Sequence, residues 1–563
     1  MCQAISQLAF SSPAPAFRPF CLPSSPCWPS RAAWQALNTT LDGRLVRPDA
    51  VACLTHECSD PTWRVEQPAS LMYLNFETGQ GLDAQRTSQS VQGARDEASY
   101  RTPAFVVDAR ETRHVVEAVN FARKHRLKLR IKNTGHDYLG RSSGEGAFTI
   151  WTHHLNSTRY VQDFVPYGAP LEVARERAIV AGSGVTVYGM NEAADRAGVI
   201  VPSGVSKTVG AAGGYVLGGG HGPLAPLLGL AADNVLEFTV VLANGSVVKA
   251  SPYSNPSLFT ALRGGGASSF GVVVETVFRA FEPPKGFVGI FGTFAVRENV
   301  TSEAAAQSWT KLMKGWVDLQ PRLSDAGPFA GYAYVRRPQP APFAYILPSD
   351  DLDLATSLFD PFMTKYAQDA NLVIEYRYHK TETWFELWNG TFTDALHSLD
   401  EVGINLFLGA RFVPRRVVEE KPHELADFLA NLKSPSIVHL VAGGKVAQEP
   451  TFPSTVHPAW RTTLLHVDLP VAFPSATPPH ALTSLVSYLA TITNQLSSIA
   501  TCLGDPAASY ASESNYFEGE DAWRDVWYGR ENYARLEREK DAWDPDRVFG
   551  GRRTVGSVGG DDD

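Results

Sequence analysis

Apolar and basic residues alternate strictly over residues 127–132, directly ahead of a polar stretch of the chain. Alternation with a period of two places neighbouring side chains on opposite faces, so the pattern predicts a β-strand with one buried face. Upstream, residues 104–107 form a short apolar run, and apolar residues recur at helical spacing between residues 111 and 125. The pattern therefore predicts a β-α-β unit whose second strand leads into the polar stretch.

The same reasoning predicts further elements between residues 178 and 274. Gly198 follows a helical pattern and suits a helix end, and Asn244-Gly245 separates two apolar strands as in a hairpin. The predicted elements are a strand at 178–181, a helix at 187–197, a hairpin of 236–242 with 247–250, a short helix at 257–263 and a buried strand at 270–274.

Two loops rich in small residues follow predicted strands or helices. The first loop, residues 132–144, has His136 at its centre, and the second loop, residues 202–222, is dense in glycine. Small residues let the backbone approach a ligand, and successive N–H groups can hold a diphosphate. The apolar residues within the second loop disfavour a flexible linker. Together the loops predict a site for a large phosphate-bearing cofactor, in which His136 is a ligand, a base or a covalent anchor.

Several common sites are disfavoured by the motifs that the sequence lacks. No G-x-G-x-x-G opens a helix after a strand, and no G-x-x-x-x-G-K-[ST] occurs, which disfavours Rossmann and P-loop nucleotide sites. Ser206 does not stand in a G-x-S-x-G elbow, so a serine hydrolase has little support. The pairs His153-His154 and His114…His125 form no recognisable metal set, and we predict no metal site.

The bulk composition narrows the class of protein. With 563 residues the chain is too long for one core, so two or more domains are expected. The net charge of −9 disfavours an extended nucleic-acid surface. No apolar run reaches the roughly 18–20 residues that span a bilayer.

The N-terminal segment, residues 1–60, is expected to be an irregular arm. Five of the six cysteines lie in it, and disulfides would pin such a segment to a larger body. Residues 1–20 lack the basic start and apolar run of a clean signal peptide. We nevertheless expect secretion, because N-x-S/T sequons are frequent. The cysteines are Cys2, Cys21, Cys27, Cys53, Cys58 and Cys502, and the sequons begin at Asn38, Asn156, Asn244, Asn299 and Asn389.

A resemblance to a known family is carried by several motifs taken together. The chain resembles the FAD-linked oxidases of the vanillyl-alcohol-oxidase type, and within them the fungal members of the berberine-bridge-enzyme-like branch. The matching residues are Gly135-His136-Asp137-Tyr138, the run 204–222, Leu262-Arg263-Gly264-Gly265-Gly266 with Phe270-Gly271-Val272-Val273, the tail Asn532-Tyr533…Leu536…Lys540…Asp544-Pro545…Val548-Phe549, and Cys27-Trp28-Pro29-Ser30.

The resemblance implies an α+β fold and its domain organisation. A two-subdomain PCMH-type FAD-binding domain is expected at 98–282. A substrate domain, with an antiparallel sheet covered by helices, is expected at 285–500. A C-terminal segment at 505–555 is expected to return to the FAD domain.

The cofactor implied by the resemblance is FAD, bonded covalently through His136 to the 8α carbon. Bicovalent members carry a cysteine where this chain has Ser206, so we expect a single link. The residues expected to contact the cofactor are His136, Asn133, Thr134, Gly135, Asp137, Tyr138, Gly204, Ser206, Thr208, Val209, Gly210, Gly213, Gly214, Gly218, Gly219, Gly220, His221, Gly222, Gly271, Val272, Asn532 and Tyr533.

The reaction implied by the resemblance is removal of a hydride from an alcohol, sugar or secondary-metabolite C–H, with O2 as acceptor and H2O2 as product. Tyr510 matches the tyrosine that family members use as a base, and a buried structural tyrosine is the alternative. A flavin dehydrogenase or oxidative cyclase of secondary metabolism would use the same site. A secreted binding protein that has lost catalysis is the alternative from another class. The expected partner is a small-molecule substrate, with no nucleic acid and no membrane span.

Overall fold

The computed structural model describes residues 20–48, 66–68, 73–74, 103–297, 303–337, 339–392, 404–474, 477–514, 517–519 and 522–557. Its strands are β1 (Leu45–Val46), β2 (Tyr73–Leu74), β3 (Phe105–Asp108), β4 (Leu129–Lys132), β5 (Phe148–Trp151), β6 (Thr158–Phe164), β7 (Glu176–Gly182), β8 (Val235–Val241), β9 (Val247–Ala250), β10 (Val272–Arg279), β11 (Phe287–Val296), β12 (Ala330–Val335), β13 (Ala341–Leu347), β14 (Leu372–Thr381), β15 (Ile404–Pro414), β16 (Ser436–Leu440) and β17 (Thr463–Phe473).

The described α-helices are α1 (Arg31–Thr40), α2 (Thr112–His125), α3 (Val187–Arg196), α4 (Ala225–Leu228), α5 (Pro256–Leu262), α6 (Glu303–Ala326), α7 (Leu352–Ala367), α8 (Trp384–Leu387), α9 (Arg415–Glu420), α10 (Pro422–Asn431), α11 (Pro479–Ala500), α12 (Ala522–Tyr528) and α13 (Arg530–Trp543). Short π-helical turns lie at Ala211–Tyr215 and Trp388–Phe392, and 3-10 turns at Ala232–Asn234 and Pro458–Arg461. None of the helices described here has the length and apolarity needed to cross a membrane.

The first sheet carries the loop that contains His136. Its strand order is β1-β3-β5-β4, in which β3, β5 and β4 run parallel. The predicted β-α-β unit is confirmed: α2 joins β3 to β4, and Arg126 ends the helix in a left-handed conformation. Since β4 ends at Lys132, the first loop leaves the carboxyl end of that strand.

The second sheet is antiparallel, with the order β6-β7-β10-β8-β9. The predicted hairpin is β8 with β9, and the predicted helix at 187–197 is α3. Gly198 has a φ of +66°, which suits its place just past the helix end. The N–H of Val187 at the start of α3 donates to the carbonyl of Val209, so the second loop is fastened to this sheet.

The third sheet is the largest, with the order β14-β11-β13-β12-β16-β17-β15-β2. Its side chains alternate between two cores, as the period of a strand requires. On one face, residues such as Val335 pack with side chains of α6, α7, α10 and α11. On the other face, Tyr332 and Tyr334 share a core with the second sheet. The fold is therefore a mixed α+β structure in which helices cover one side of the large sheet.

The boundary between the second and third sheets lies near residue 285, where the substrate domain is expected to begin. β10 of the second sheet ends at Arg279, and β11 of the third sheet begins at Phe287. The C-terminal helix α13 lies against the first part of the chain, because Leu536 belongs to the same core as Phe259 and Phe270. The third sheet and the C-terminal tail thus both border the second sheet.

The N-terminal segment is more regular than predicted. Within residues 20–48, α1 is capped by the Ser30 side chain, and β1 joins the first sheet. Trp34 stacks on Phe105 with ring centroids 4.2 Å apart, so an amphipathic helix is part of the core. A disulfide joins Cys21 to Cys27. Cys2, Cys53 and Cys58 lie outside the described residues, as does the sequon at Asn299.

The alternating strand also differs from its prediction, because both of its faces are buried. Lys128, Arg130 and Lys132 are all less than 10% exposed. A guanidinium nitrogen of Arg130 donates to the carbonyl of Gly550, and the Lys132 ammonium donates to the carbonyl of Gln67 at 2.7 Å. The basic face is covered by distant chain segments that supply carbonyl acceptors, and periodicity alone does not reveal such a cover.

Candidate active site

Both glycine-containing loops line one solvent-connected cleft of about 1640 Å³, which lies between the second and third sheets. We call its two sides the loop wall (residues 131–142, 204–217 and 267–273) and the strand wall (residues 332–334, 437–439, 468 and 510–513). The residues predicted to contact a cofactor that do line the cleft are Asn133, Thr134, Gly135, His136, Asp137, Tyr138, Gly204, Ser206, Val209, Gly210, Gly213, Gly214, His221, Gly271 and Val272.

The two loops touch each other at Asn133 and Gly210. A Cβ atom at Gly210 would lie 2.1 Å from the Asn133 side-chain nitrogen, so only glycine fits this approach. The same nitrogen donates to the carbonyl of Ser183 at 2.7 Å, which ties the first loop to the second sheet. Two stretches that are far apart in sequence are thereby held as a single surface.

His136 projects from the first loop into the cleft and is held by the second. Its Nε2 lies 2.7 Å from the hydroxyl oxygen of Thr208. Burial, reinforced by the charge of Lys132, lowers the pKa of His136 to about 3. The imidazole is therefore neutral at neutral pH and can act as a nucleophile. Thr208 does not itself line the cleft, and it acts by positioning this ring.

Lys132, at the end of β4, is a site residue that the sequence analysis did not identify. It is fully buried, and burial lowers its pKa to about 7. Its ammonium also lies 5.1 Å from the centroid of the Trp151 ring. The alternating pattern contained the signal, since a lysine preceding an Asn-Thr-Gly-His loop adds positive charge beside the imidazole.

The first loop offers backbone donors to a ligand. Among the described residues, the N–H groups of Thr134, Gly135 and Asp137 find no acceptor. Gly135 has a φ of +89°, a conformation that favours glycine. Asp137 accepts from the Arg141 guanidinium at 2.5 and 3.0 Å, which keeps the loop closed and places an arginine in the cleft lining. Such an arrangement suits an anionic group such as a diphosphate.

The second loop, unlike the first, uses several of its backbone donors between residues 208 and 214 in internal hydrogen bonds. The N–H of Val209 donates to Ser206, that of Ala211 to Val185, and that of Gly213 to Gly210. These bonds fasten the loop to α3 and to itself. Its contribution to a ligand is therefore close approach of the backbone, and fewer of its N–H groups remain for a phosphate.

Tyr510 lies on the strand wall, as predicted, but its hydroxyl is not that of a ready base. The oxygen accepts from the N–H of Gly220 at 3.2 Å. Burial, together with the nearby carboxylate of Glu513, raises its pKa well above the usual value. Tyr510 is consequently a neutral phenol at neutral pH and can donate a hydrogen bond to a substrate oxygen.

Besides Thr208, six predicted cofactor residues lie outside the cleft lining, and their contacts are those of packing residues. Cβ atoms at Gly218, Gly220 and Gly222 would collide with Ser512, Tyr215 and the Ser203 carbonyl, so these glycines allow tight internal packing. Asn532 donates to the carbonyl of Val456, and the hydroxyl of Tyr533 accepts from the N–H of Gly556. The six are Gly218, Gly219, Gly220, Gly222, Asn532 and Tyr533.

The strand wall contains ionisable residues that the sequence analysis missed. His439 on β16, Asp468 on β17 and Glu513 in the tail line the cleft, and His466 on β17 lies directly behind them. Nε2 of His221 donates to the Glu513 carboxylate at 2.7 Å, so this ring is bonded to a side chain rather than to backbone. Burial alone would raise the pKa of Glu513, but His221 lowers it to about 2, so the carboxylate is ionised at neutral pH.

No spacing rule connects these residues, because they come from separate strands and from the tail. The only sequence signal is the alternation His466-Val467-Asp468-Leu469, which is typical of a strand with one polar face, whereas His439 stands in an apolar run. Their convergence is a property of the third sheet.

Comparison with known proteins gives a consistent result along the chain. The family described as FAD binding domain matches residues 103–251. An uncharacterized FAD-linked oxidoreductase of Arthroderma benhamiae is 32% identical over 95% of this chain and 94% of that protein. The VAO-type flavoprotein oxidase VAO615 of Thermothelomyces thermophilus is 30% identical over 95% of this chain and 92% of that protein.

Solved structures show the same fold. The VAO-type flavoprotein MtVAO615 from Myceliophthora thermophila C1 matches with a TM-score of 0.79 and 26% identity, covering 96% of this chain and 97% of that one. A glucooligosaccharide oxidase from Acremonium strictum, described with a 6-S-cysteinyl, 8α-N1-histidyl FAD, matches with a TM-score of 0.62 and 19% identity. That match covers 81% of this chain and 92% of the oxidase.

Proposed function

This chain belongs to the FAD-linked oxidoreductases of the vanillyl-alcohol-oxidase type, and from that premise we propose that it is an oxidase acting on an alcohol, sugar or secondary-metabolite C–H group. The observation that carries the proposal is that the loop wall and the strand wall face one cleft. Bound at the loop wall, FAD would supply the two-electron acceptor for a hydride. In the proposed reaction O2 reoxidises the flavin and is released as H2O2.

The loop wall supports binding of the cofactor by backbone and by one imidazole. The N–H groups of Thr134, Gly135 and Asp137 would hold the diphosphate, and the Asn133–Gly210 contact brings the second loop alongside. His136 would form the covalent bond to the 8α carbon.

The proposed linkage is single. Ser206 lines the cleft at the position where bicovalent relatives carry cysteine, and a hydroxyl does not form the second bond. Of the described cysteines, Cys21 and Cys27 are joined to each other, and Cys502 is exposed and outside the cleft lining. The cleft lining described here thus contains no thiol, in contrast to the cysteinyl link named for the glucooligosaccharide oxidase.

The strand wall supports binding of a polar substrate opposite the cofactor. Tyr510 is the proposed catalytic residue, and its neutral hydroxyl would donate a hydrogen bond to the substrate oxygen. This role differs from that of a base, because burial keeps the proton on the phenol. The ionised Glu513 and the tyrosines Tyr332 and Tyr334 complete a wall that would orient a hydroxylated molecule.

The test of the oxidase proposal is a reductive and an oxidative half-reaction measured separately. Under anaerobic conditions a substrate alcohol should bleach the flavin, and admitted O2 should restore the colour with one H2O2 per flavin. Slow recovery with O2 but fast recovery with an artificial acceptor would instead identify a dehydrogenase. A flavin that no substrate and no mild reductant bleaches would contradict catalysis and favour a binding protein.

We also propose that the protein is secreted. The Cys21–Cys27 disulfide and the exposed sequons at Asn156 and Asn244 support an oxidising, glycosylating compartment. Glycosidase treatment of the protein recovered from the culture medium should reduce its mass. Retention of the whole protein inside the cell, with free thiols at Cys21 and Cys27, would contradict secretion.

A further inference from the structure

Three histidine rings meet at the strand wall. The ring centroids of His221 and His439 are 5.4 Å apart, those of His221 and His466 are 5.4 Å apart, and those of His439 and His466 are 5.2 Å apart. The Glu513 carboxylate closes the group, at 2.7 Å from His221 and 3.3 Å from His466. One donor atom from each of these four side chains lies within 4.8 Å of all the others.

The cluster is assembled from three separate parts of the chain. His439 on β16 and His466 on β17 are directly opposite each other in the register of the third sheet. His221 closes the second loop, and Glu513 lies in the segment that follows α11. The two strands therefore present a preformed pair of imidazoles, to which the second loop and the tail each add one ligand.

The imidazoles are buried without the hydrogen bonds that buried polar groups normally make. His221 and His439 are each 6% exposed, and His466 is 0% exposed. Among the described residues, both ring nitrogens of His439 and Nδ1 of His221 make no hydrogen bond, and the two nitrogens of His466 face only the Asp468 and Glu513 carboxylates, at 3.1 and 3.3 Å and in poor hydrogen-bond geometry. Leaving such groups unpaired costs about 1–3 kcal/mol each, so a further group that satisfies them is expected.

We propose that His221, His439, His466 and Glu513 bind one divalent transition-metal ion, such as Zn²⁺, on the strand wall of the cleft. Three imidazoles and one carboxylate form a donor set typical of such ions. Ligand atoms around tetrahedral zinc lie about 3.3 Å apart, given bonds of about 2.0–2.1 Å. The ligand atoms are at most 4.8 Å apart without an ion, so binding would have to draw them together by up to about 1.5 Å.

Asp468 supports the site from behind. One carboxylate oxygen lies 3.1 Å from Nε2 of His466, and the other lies 3.5 Å from Nε2 of His439. A carboxylate behind a ligating imidazole orients the ring and fixes which nitrogen faces the metal. Asp468 is 3% exposed, and the two imidazoles are the charged or polar partners that its carboxylate meets here. A dication beside it would compensate its negative charge.

The metal would act on the substrate, and this role rests on the proposed function. Coordination of the substrate's hydroxyl oxygen as a fifth ligand would fix the reacting carbon across the cleft from the loop wall and would lower the pKa of that hydroxyl. The hydroxyl proton would pass to water, bound FAD would supply the acceptor for the hydride that leaves the carbon, and the product would be a carbonyl compound. Tyr510, which packs against His221 with centroids 5.3 Å apart, would share the same oxygen.

The experiment measures metal binding by the flavin-loaded protein without substrate. After treatment with a chelator, Zn²⁺ is titrated calorimetrically, and metal content is measured by mass spectrometry after dialysis. One ion per chain is expected, and His439→Ala should weaken binding at least 100-fold. His423→Ala, at an exposed histidine of α10, and His153→Ala, in the separate group formed by Glu66, His153 and His154, should bind as the parent does.

A second variant keeps the result decisive if His439→Ala fails to fold. Asp468→Asn retains the shape of the side chain, and it should weaken Zn²⁺ binding about 10- to 100-fold while the flavin content stays the same. Absence of stoichiometric binding to the parent protein, or equal binding by His439→Ala, would overturn the proposal. Because this readout needs neither substrate nor O2, its failure is distinguishable from failure of the oxidase activity.

Discussion

The two walls of the cleft differ in the parts of the chain that form them and in the groups that they present. The loop wall comes from two continuous stretches and presents mostly backbone and small residues, with His136 as its one reactive side chain. The strand wall comes from β12, β16, β17 and the tail and presents buried ionisable side chains. A cofactor common to a family can be held by backbone, whereas substrate chemistry depends on side chains that each member places for itself.

The largest effect on the loop wall is expected from a substitution at the contact between its two loops. Gly210→Val would drive a side chain into Asn133, so we expect a loss of about 3 kcal/mol in the free energy of unfolding, the upper end of the usual cost of overpacking, and little flavin-loaded protein. Thermal unfolding and flavin absorbance check this. Gly189→Ala in α3 is the matched control, since its Cβ meets only ordinary contacts. Normal flavin loading of Gly210→Val would show that the loops do not depend on each other.

On the strand wall, the largest effect is expected from a substitution of Tyr510, and it concerns the reaction rate and not the flavin content. Tyr510→Phe should lower kcat/KM by about 100- to 1000-fold, the cost of one lost donor at a developing charge, with flavin content unchanged. Steady-state kinetics measured beside flavin absorbance would show it. Tyr528→Phe removes another buried tyrosine hydroxyl outside the cleft lining and should leave kcat/KM unchanged. Equal losses in both variants would indicate a general packing effect.

His457 is a buried histidine outside the cleft, so its substitution should change the stability of the protein without changing flavin binding. His457 accepts from the N–H of Ala459 through Nδ1, and burial lowers its pKa from 6.5 to about 4. The unfolded chain therefore binds more protons than the folded chain between these values, and stability falls as the pH drops from about 6.5 to about 4.

His457→Asn should remove up to about 3 kcal/mol of that acid-induced loss. Denaturant unfolding at pH 7 and at pH 4 gives the difference. An unchanged pH dependence in His457→Asn would mean that the imidazole already titrates near its ordinary value in the folded protein. Flavin content at pH 7 should be the same in both proteins, because this residue does not line the cleft.

The smallest effect concerns the residue that positions His136. Thr208→Val removes a hydrogen bond worth about 1 kcal/mol, so flavin attachment to apoprotein should slow by roughly tenfold or less. Ser206→Ala, at a neighbouring hydroxyl of the same loop, is the control and should attach flavin at the normal rate. Time courses of covalent incorporation distinguish the two, and equal rates would contradict the role given to Thr208.

The loop wall could be predicted because its signals are local. The period of residues 127–132 and the glycines of the second loop identified a cofactor site, and fifteen of the expected contact residues line the cleft. Other expected residues, such as Gly220 and Tyr533, lie outside the cleft lining, because a glycine or tyrosine in a family motif can also serve packing. The burial of Lys132 was missed because its partner Gln67 is distant in sequence.

The strand wall could not be predicted in the same way. His439 and His466 are neighbours only because β16 pairs with β17. The register of that pairing cannot be predicted from the sequence of either strand alone. Glu513 joins them because the tail folds back over the cleft. Long-range strand pairing therefore limits what a single sequence reveals about substrate chemistry.

The central claim is that one dinucleotide is held by both loops and anchored through one imidazole. Its most direct test is the mass of the intact, denatured protein. We expect a mass greater than that of the chain by one FAD, lost in His136→Ala and retained in Ser206→Ala. Retention of the added mass in His136→Ala, or its loss in Ser206→Ala, would contradict the assignment of the anchor.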